Sequence, residues 1–260
     1  MNIYASFAAL DLSPQVALLC LIVALGAGVV KGLVGFAMPM MMISGLGAWV
    51  APELALAGLI VPTLLTNGWQ ALRQGPRAAG KSVKRFWRFL VAGAVMLMLS
   101  AQLVRVLPVP VMLAAIGIPI TIFAVTQMMG RQLRLAAHPS ARVEFSIGGF
   151  AGFIGGFSGV WGPPTVALLT AMETPKQEQM RVQGVIYGLG AVVLLAAHVT
   201  SGVISRTTLP FSLMLVAPAL IGMGIGLRLQ DRIDQAQFRR ATMIVLLLAG
   251  LNLVRRAVFS

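Results

Sequence analysis

The sequence predicts an all-α integral membrane protein made of two inverted repeats of five helical segments, each opening with a re-entrant helical hairpin. Three observations predict it. First, 58% of the 260 residues are hydrophobic and only 10% are charged, with a mean hydropathy of +0.90, whereas a soluble domain carries about 25% charged residues. Second, the apolar stretches fall into two sets of five. Third, a glycine-rich passage heads each set: Gly28-Val-Val-Lys-Gly32-Leu-Val-Gly35-Phe-Ala-Met-Pro39 and Gly152-Phe-Ile-Gly-Gly156-Phe-Ser-Gly159-Val-Trp-Gly-Pro163. Glycine- and proline-interrupted hydrophobic segments at matching places in two halves point to a transporter's substrate site.

The first repeat, residues 1–130, contains apolar segments at 15–31, 38–49, 54–72, 86–107 and 109–129. A cytoplasmic linker, 131–142, leads to the second repeat, 143–260, with segments at 143–157, 163–172, 178–201, 208–228 and 238–254. Lengths near 20 residues suit membrane helices. The second segment of each set is too short to cross, residues 39–49 and 163–172 rising about 15–17 Å against a hydrocarbon core of roughly 30 Å. Each opening pair therefore reads as a hairpin that enters the membrane and turns back. Backbone that is not helical at such depth must be buried in protein or line a watery cavity. Three crossings per repeat, an odd number, invert the second copy relative to the first.

Charge orients the chain. Arg73, Arg77, Lys81, Lys84, Arg85, Arg88, Arg131, Arg134, Arg142, Lys176, Arg181, Arg228, Arg232, Arg239 and Arg240 fall on one face, and Arg206, Arg255, Arg256 and Arg105 on the other. The positive-inside rule makes the crowded face cytoplasmic and places both termini in the periplasm. The net charge of +13 thus belongs to loops, and no nucleic-acid-binding motif accompanies it. The first dozen residues lack Lys and Arg, so no cleavable signal peptide is expected. Cys20, the sole cysteine, excludes an intramolecular disulfide and reads as a small buried hydrophobe. Without a phosphate-binding Gly-x4-Gly-Lys-Ser/Thr loop, ATP is not the direct driver, and no cofactor is expected.

Pro39 and Pro163 each stand just after a glycine-bearing turn, at the expected first position of a short helix. The exposed N–H groups of such helix starts attract anions. In an inverted repeat, the two starts face each other across a central cavity. Lys31 is the one basic residue placed deep in a segment, at the first tip, where a charge suggests function; snorkelling to the surface is the alternative. Its counterpart is Gly155. All seven acidic residues (Asp11, Glu53, Glu144, Glu173, Glu178, Asp231, Asp234) fall at segment ends or in loops, which disfavours cation transport.

Thr63, Thr66 and Asn67 lie midway along the third segment, with Gln183 and Tyr187 one turn apart in its counterpart. They serve either substrate oxygens or interhelical hydrogen bonds. Ser158 and Trp161 flank the second tip, and the Trp161 ring there has the size of a gate. The candidate substrate-binding set is Lys31, Gly35, Phe36, Pro39, Asn67, Trp161, Gly162, Pro163, Gln183 and Tyr187. His138 and His198 are too far apart for a metal site, and no nucleophile–base constellation at depth suggests an enzyme. The run Met38-Pro39-Met40-Met41-Met42 admits a Cu(I) permease, since thioethers select that ion. Consecutive methionines on a helix face different ways, however, and core filling explains them as well. Gly28/Gly32 and Gly152/Gly156 also have the spacing of close helix packing.

Over residues 14 to 255 the chain resembles the sulfite exporter TauE/SafE family, also called the toluene sulfonate uptake permeases. The motifs Gly28-x3-Gly32-x2-Gly35-x3-Pro39 and Gly152-x3-Gly156-x2-Gly159-x3-Pro163 carry the resemblance. It implies a bacterial inner-membrane secondary permease for sulfite, sulfoacetate, related organosulfonates or thiosulfate, working as exporter or importer. Members often have consecutive glycines after the third glycine, where this chain has Phe36-Ala37 and Val160-Trp161-Gly162. The expected partners are a small anionic substrate, the lipid bilayer and a coupled proton or other ion. A homodimer is compatible with the sequence.

Overall fold

The structure, a computed structural model, describes residues 12–100, 108–130, 135–136, 139–158, 162–200 and 202–259, and among them every regular element is a helix. In order they are α1 (Pro14–Val34), α2 (Met38–Leu46), α3 (Pro52–Leu72), α4 (Pro76–Arg85), α5 (Trp87–Ser100), α6 (Val109–Met128), α7 (Ala141–Ser158), α8 (Gly162–Ala171), α9 (Lys176–Thr200), α10 (Leu209–Arg232) and α11 (Gln235–Phe259). By length and composition α1, α9, α10 and α11 suffice to cross a membrane. Large apolar side chains such as Leu18, Ile22, Val95, Met98, Ile122, Ile221 and Leu248 point outward, as helices bathed in lipid require.

The chain forms two compact units, Met1–Gln74 with Gly184–Ile233, and Gly75–Gln183 with Asp234–Ser260. Each combines helices from both five-segment sets. In the first unit α1 packs along α10, and α10 also packs on α3. In the second, α5 packs along α7 and α6 along α11. The pairing rule is the same in both: the opening helix of one set lies on the fourth segment of the other.

The duplicated glycines make these contacts. A Cβ on Gly28 would meet the carbonyl of Ala219, and one on Gly32 the backbone of Met223 and Gly226. In the second unit a Cβ on Gly152 would collide with Gly93, and one on Gly148 with Phe89 backbone, its Cα at 2.7 Å. Lipid offers no hydrophobic drive for helices to associate, so this backbone-to-backbone approach is what holds them. The spacing read as close packing is used that way at Gly28, Gly32 and Gly152.

Pro62 interrupts α3 and cannot supply the N–H that would reach the Gly58 carbonyl. Ser212 of α10 repairs the gap. Its hydroxyl donates to Gly58 O at 3.3 Å and accepts from the Val61 N–H at 3.2 Å. A freed carbonyl in a membrane helix needs such a substitute.

Two details differ from the sequence reading. The opening arms extend beyond the apolar runs at 15–31 and 143–157: α1 has 21 residues and α7 has 18, while α2 has 9 and α8 has 10, as their short apolar runs suggest. The basic run after α3 is also helical. In α4, Ala79 and Ser82 face inward while Arg77, Lys81 and Lys84 are exposed, an amphipathic pattern that a search for apolar segments passes over. Of the fifth helix, the described part ends at Ser100.

Candidate substrate site at the first hairpin

The first hairpin turns between α1 and α2 on two left-handed residues. Gly35 ends α1 at φ 87°, its N–H donating to Lys31 O at 2.8 Å; glycine takes this C-terminal conformation without strain. Ala37 precedes α2 at φ 72°, a conformation alanine adopts at a cost. Met38 and Pro39 then form the first two residues of α2, and no side chain caps that helix start. Pro39 is thus second rather than first. Pro163 repeats the register, standing second in α8 behind Gly162.

Lys31 is buried within this turn, 1% exposed. Its ammonium donates to the Asn67 side-chain oxygen and to Gly35 O at 3.2 Å. It also lies 5.5 Å from the Tyr187 ring centroid, within cation–π range. The Gly35 carbonyl takes a second bond, from Gln70 Nε2 at 3.1 Å. Every group these contacts bring to the ammonium is neutral. Among the described residues no carboxylate pairs with it, and two of its three protons have acceptors. A cation removed from water without a counter-charge is costly, and the electrostatics favour an anion beside it.

The match that decides the family covers residues 20–253: it is to the model of the sulfite exporter TauE/SafE family. The chain belongs to that family. It is therefore a membrane transporter built of apolar helices, and such transporters are not enzymes. No curated protein and no solved structure matches it.

Within this TauE/SafE protein, the structure brings together Lys31, Gly35, Asn67 and Tyr187 from the residues singled out in the sequence. Phe36 is buried at the same turn. Gln183 and Pro163 are buried in the second unit. Trp161 and His138 lie outside the described residues. Gln70 was missed. It stands three residues after Asn67, four after Thr66 and seven after Thr63, so all four share one face of α3, and that periodicity was the available signal. Thr66 is committed to helix backbone, 2.7 Å from Pro62 O, and touches Met38 Sδ at 3.5 Å. Met38 and Met42 are buried in the apolar core, while Met41 is 38% exposed; the methionines diverge instead of forming one thioether site. His198 bonds its own helix, Nδ1 lying 2.9 Å from Leu194 O. Among the described residues no cluster of His, Cys, Asp and Glu has metal-binding geometry.

Proposed function

We propose that this protein is a secondary exporter of small sulfur-containing anions such as sulfite, sulfoacetate or other organosulfonates, seated in a bacterial inner membrane with both termini periplasmic. The observation that carries the reading is Lys31, a buried cation held, among the described residues, by neutral partners. A sulfite or sulfonate oxygen would take the remaining ammonium proton and supply the missing charge. The uncapped start of α2 adds N–H groups of favourable polarity at the same turn. Gly35, Phe36, Pro39, Asn67 and Tyr187 are assigned to the substrate at this tip. Trp161, Gly162, Pro163 and Gln183 are assigned to substrate on the strength of the sequence repeat alone. Alternating access would follow from the motion of one repeat against the other. The inside-negative potential favours anion efflux by about 2.3 kcal/mol per charge per 100 mV.

The test is counterflow in proteoliposomes. Saturable uptake of labelled sulfoacetate or sulfite against unlabelled anion inside is expected, falling to the protein-free background in Lys31→Met. A folded Lys31→Met protein that still exchanges the anion at the wild-type rate would overturn the role of Lys31. Comparing inside-negative with inside-positive potentials reads the direction.

A further inference from the structure

The second unit holds a cavity of about 700 Å³, within the size range of small-molecule sites. It lies where α6 and α8 end and α9 and α11 begin. Gln127, Thr170, Glu173, Gln179, Arg239 and Arg240 contribute to its wall, which brings two cations and one carboxylate to one opening. Arg239 is spoken for: it donates to Gln127 Oε1 at 2.6 Å and lies 3.9 Å from a Glu173 carboxylate oxygen. Arg240, its exposed neighbour, has no partner among the described residues. Thr170 is 5% exposed and its hydroxyl has no hydrogen-bond partner, although helical threonines ordinarily bond back to their own backbone. Buried hydroxyls without partners are rare and costly, so one in the wall of a polar cavity marks a place for a ligand atom. With Glu173 offsetting Arg239, Arg240 leaves one positive charge in excess. A guanidinium fork and a hydroxyl donor in the wall of one cavity suit a sulfur or phosphorus oxyanion.

We propose that this cavity is a second oxyanion site, in which Arg240 and Thr170 receive a sulfite, sulfonate or phosphate group. That the group is a sulfur anion about to be transported rests on the proposed function; the site itself does not. In the proposed orientation the cavity is at the cytoplasmic end, where it would gather anions before transport. The same chemistry is offered by a lipid phosphate.

The experiment is calorimetric titration of the protein in phosphatidylcholine nanodiscs with sulfite, sulfoacetate and inorganic phosphate. Lys31→Met should retain one binding site. In that background Arg240→Gln, at an exposed position, should weaken binding at least tenfold, and Thr170→Val about threefold, the size of one hydrogen bond. Repeating the titration in phosphatidylglycerol nanodiscs separates the sources: loss of anion binding there, with Arg240-dependent retention of the lipid in native mass spectra, identifies the occupant as a headgroup. If neither free anion nor lipid responds to Arg240→Gln or Thr170→Val, the second site does not exist. If Lys31→Met binds like the wild type while Arg240→Gln loses all binding, the second site stands and the hairpin site fails.

Discussion

Lys31 in the first unit and Glu144 in the second are both 1% exposed, yet their surroundings differ in kind. Glu144 opens α7 and is gripped by Arg85 at the end of α4 and by Arg88 at 3.5 Å. Its charge is cancelled by its own protein, and the pair fastens α4 and α5 to α7. Lys31 has a carbonyl, an amide and a ring. Among the described residues the fold supplies two guanidinium groups to one buried carboxylate and no carboxylate to one buried ammonium, the contrast on which the proposed ligand role of Lys31 rests. The duplicated passage teaches the same lesson. Its shared Gly28, Gly32 and Gly152 serve backbone contacts, whereas Lys31, which stands opposite Gly155 and so is not shared, is the residue the proposed function assigns to the substrate.

This contrast predicts opposite behaviour on neutralisation. Glu144→Leu should destabilise the protein by about 1–3 kcal/mol, because it removes the carboxylate that Arg85 and Arg88 share, with the discount that both are partly exposed. Its melting temperature should fall while stabilisation by the bound anion persists. Lys31→Met should melt near the wild type and lose that stabilisation, which is about 2.7 kcal/mol at a hundredfold the dissociation constant. If the two variants behave alike, the distinction between a structural and a functional charge collapses.

The glycine contacts sharpen the comparison next. Gly152→Ala drives a methyl group into Gly93 and should cost about 1–3 kcal/mol by overpacking. Gly68→Ala in α3 meets open space and should instead gain up to about 1 kcal/mol from helix propensity. Thermal melts in detergent measure both, and equal effects would mean that α7 does not rest against α5. The smallest effect belongs to Ala37, held at φ 72°. Relief of that strain by Ala37→Gly, set against the extra freedom glycine has when unfolded, should leave a gain below about 1 kcal/mol; a lowered melting point would contradict the left-handed turn.

Much of this was legible in the sequence because membrane helices announce themselves by length and polarity. The short second arms and the matched placement of Pro39 and Pro163 at their starts follow from where glycine and proline interrupt apolar runs, although both prolines stand second rather than first. The burial of Lys31 decides between the two readings the sequence left open. What escaped notice needed three dimensions. The amphipathic α4 looks like a basic loop until its inward Ala79 and Ser82 are seen. Gln70 is an ordinary helix-end polar residue until the Gly35 carbonyl comes within reach of it. Nor does any local pattern reveal that Ser212, far along the chain, replaces the N–H missing at Pro62.

The pairing of α1 with α10 has a consequence for how the protein is made. The groove at Gly28 and Gly32 is completed by a helix that leaves the ribosome about 175 residues after α1, or roughly 10–35 s later at about 5–20 residues per second. Until then the first helix waits in the bilayer with its glycine face uncovered. That interval is when an insertase or chaperone has most to protect, and a chain truncated before α10 should be the form that quality-control proteases destroy first.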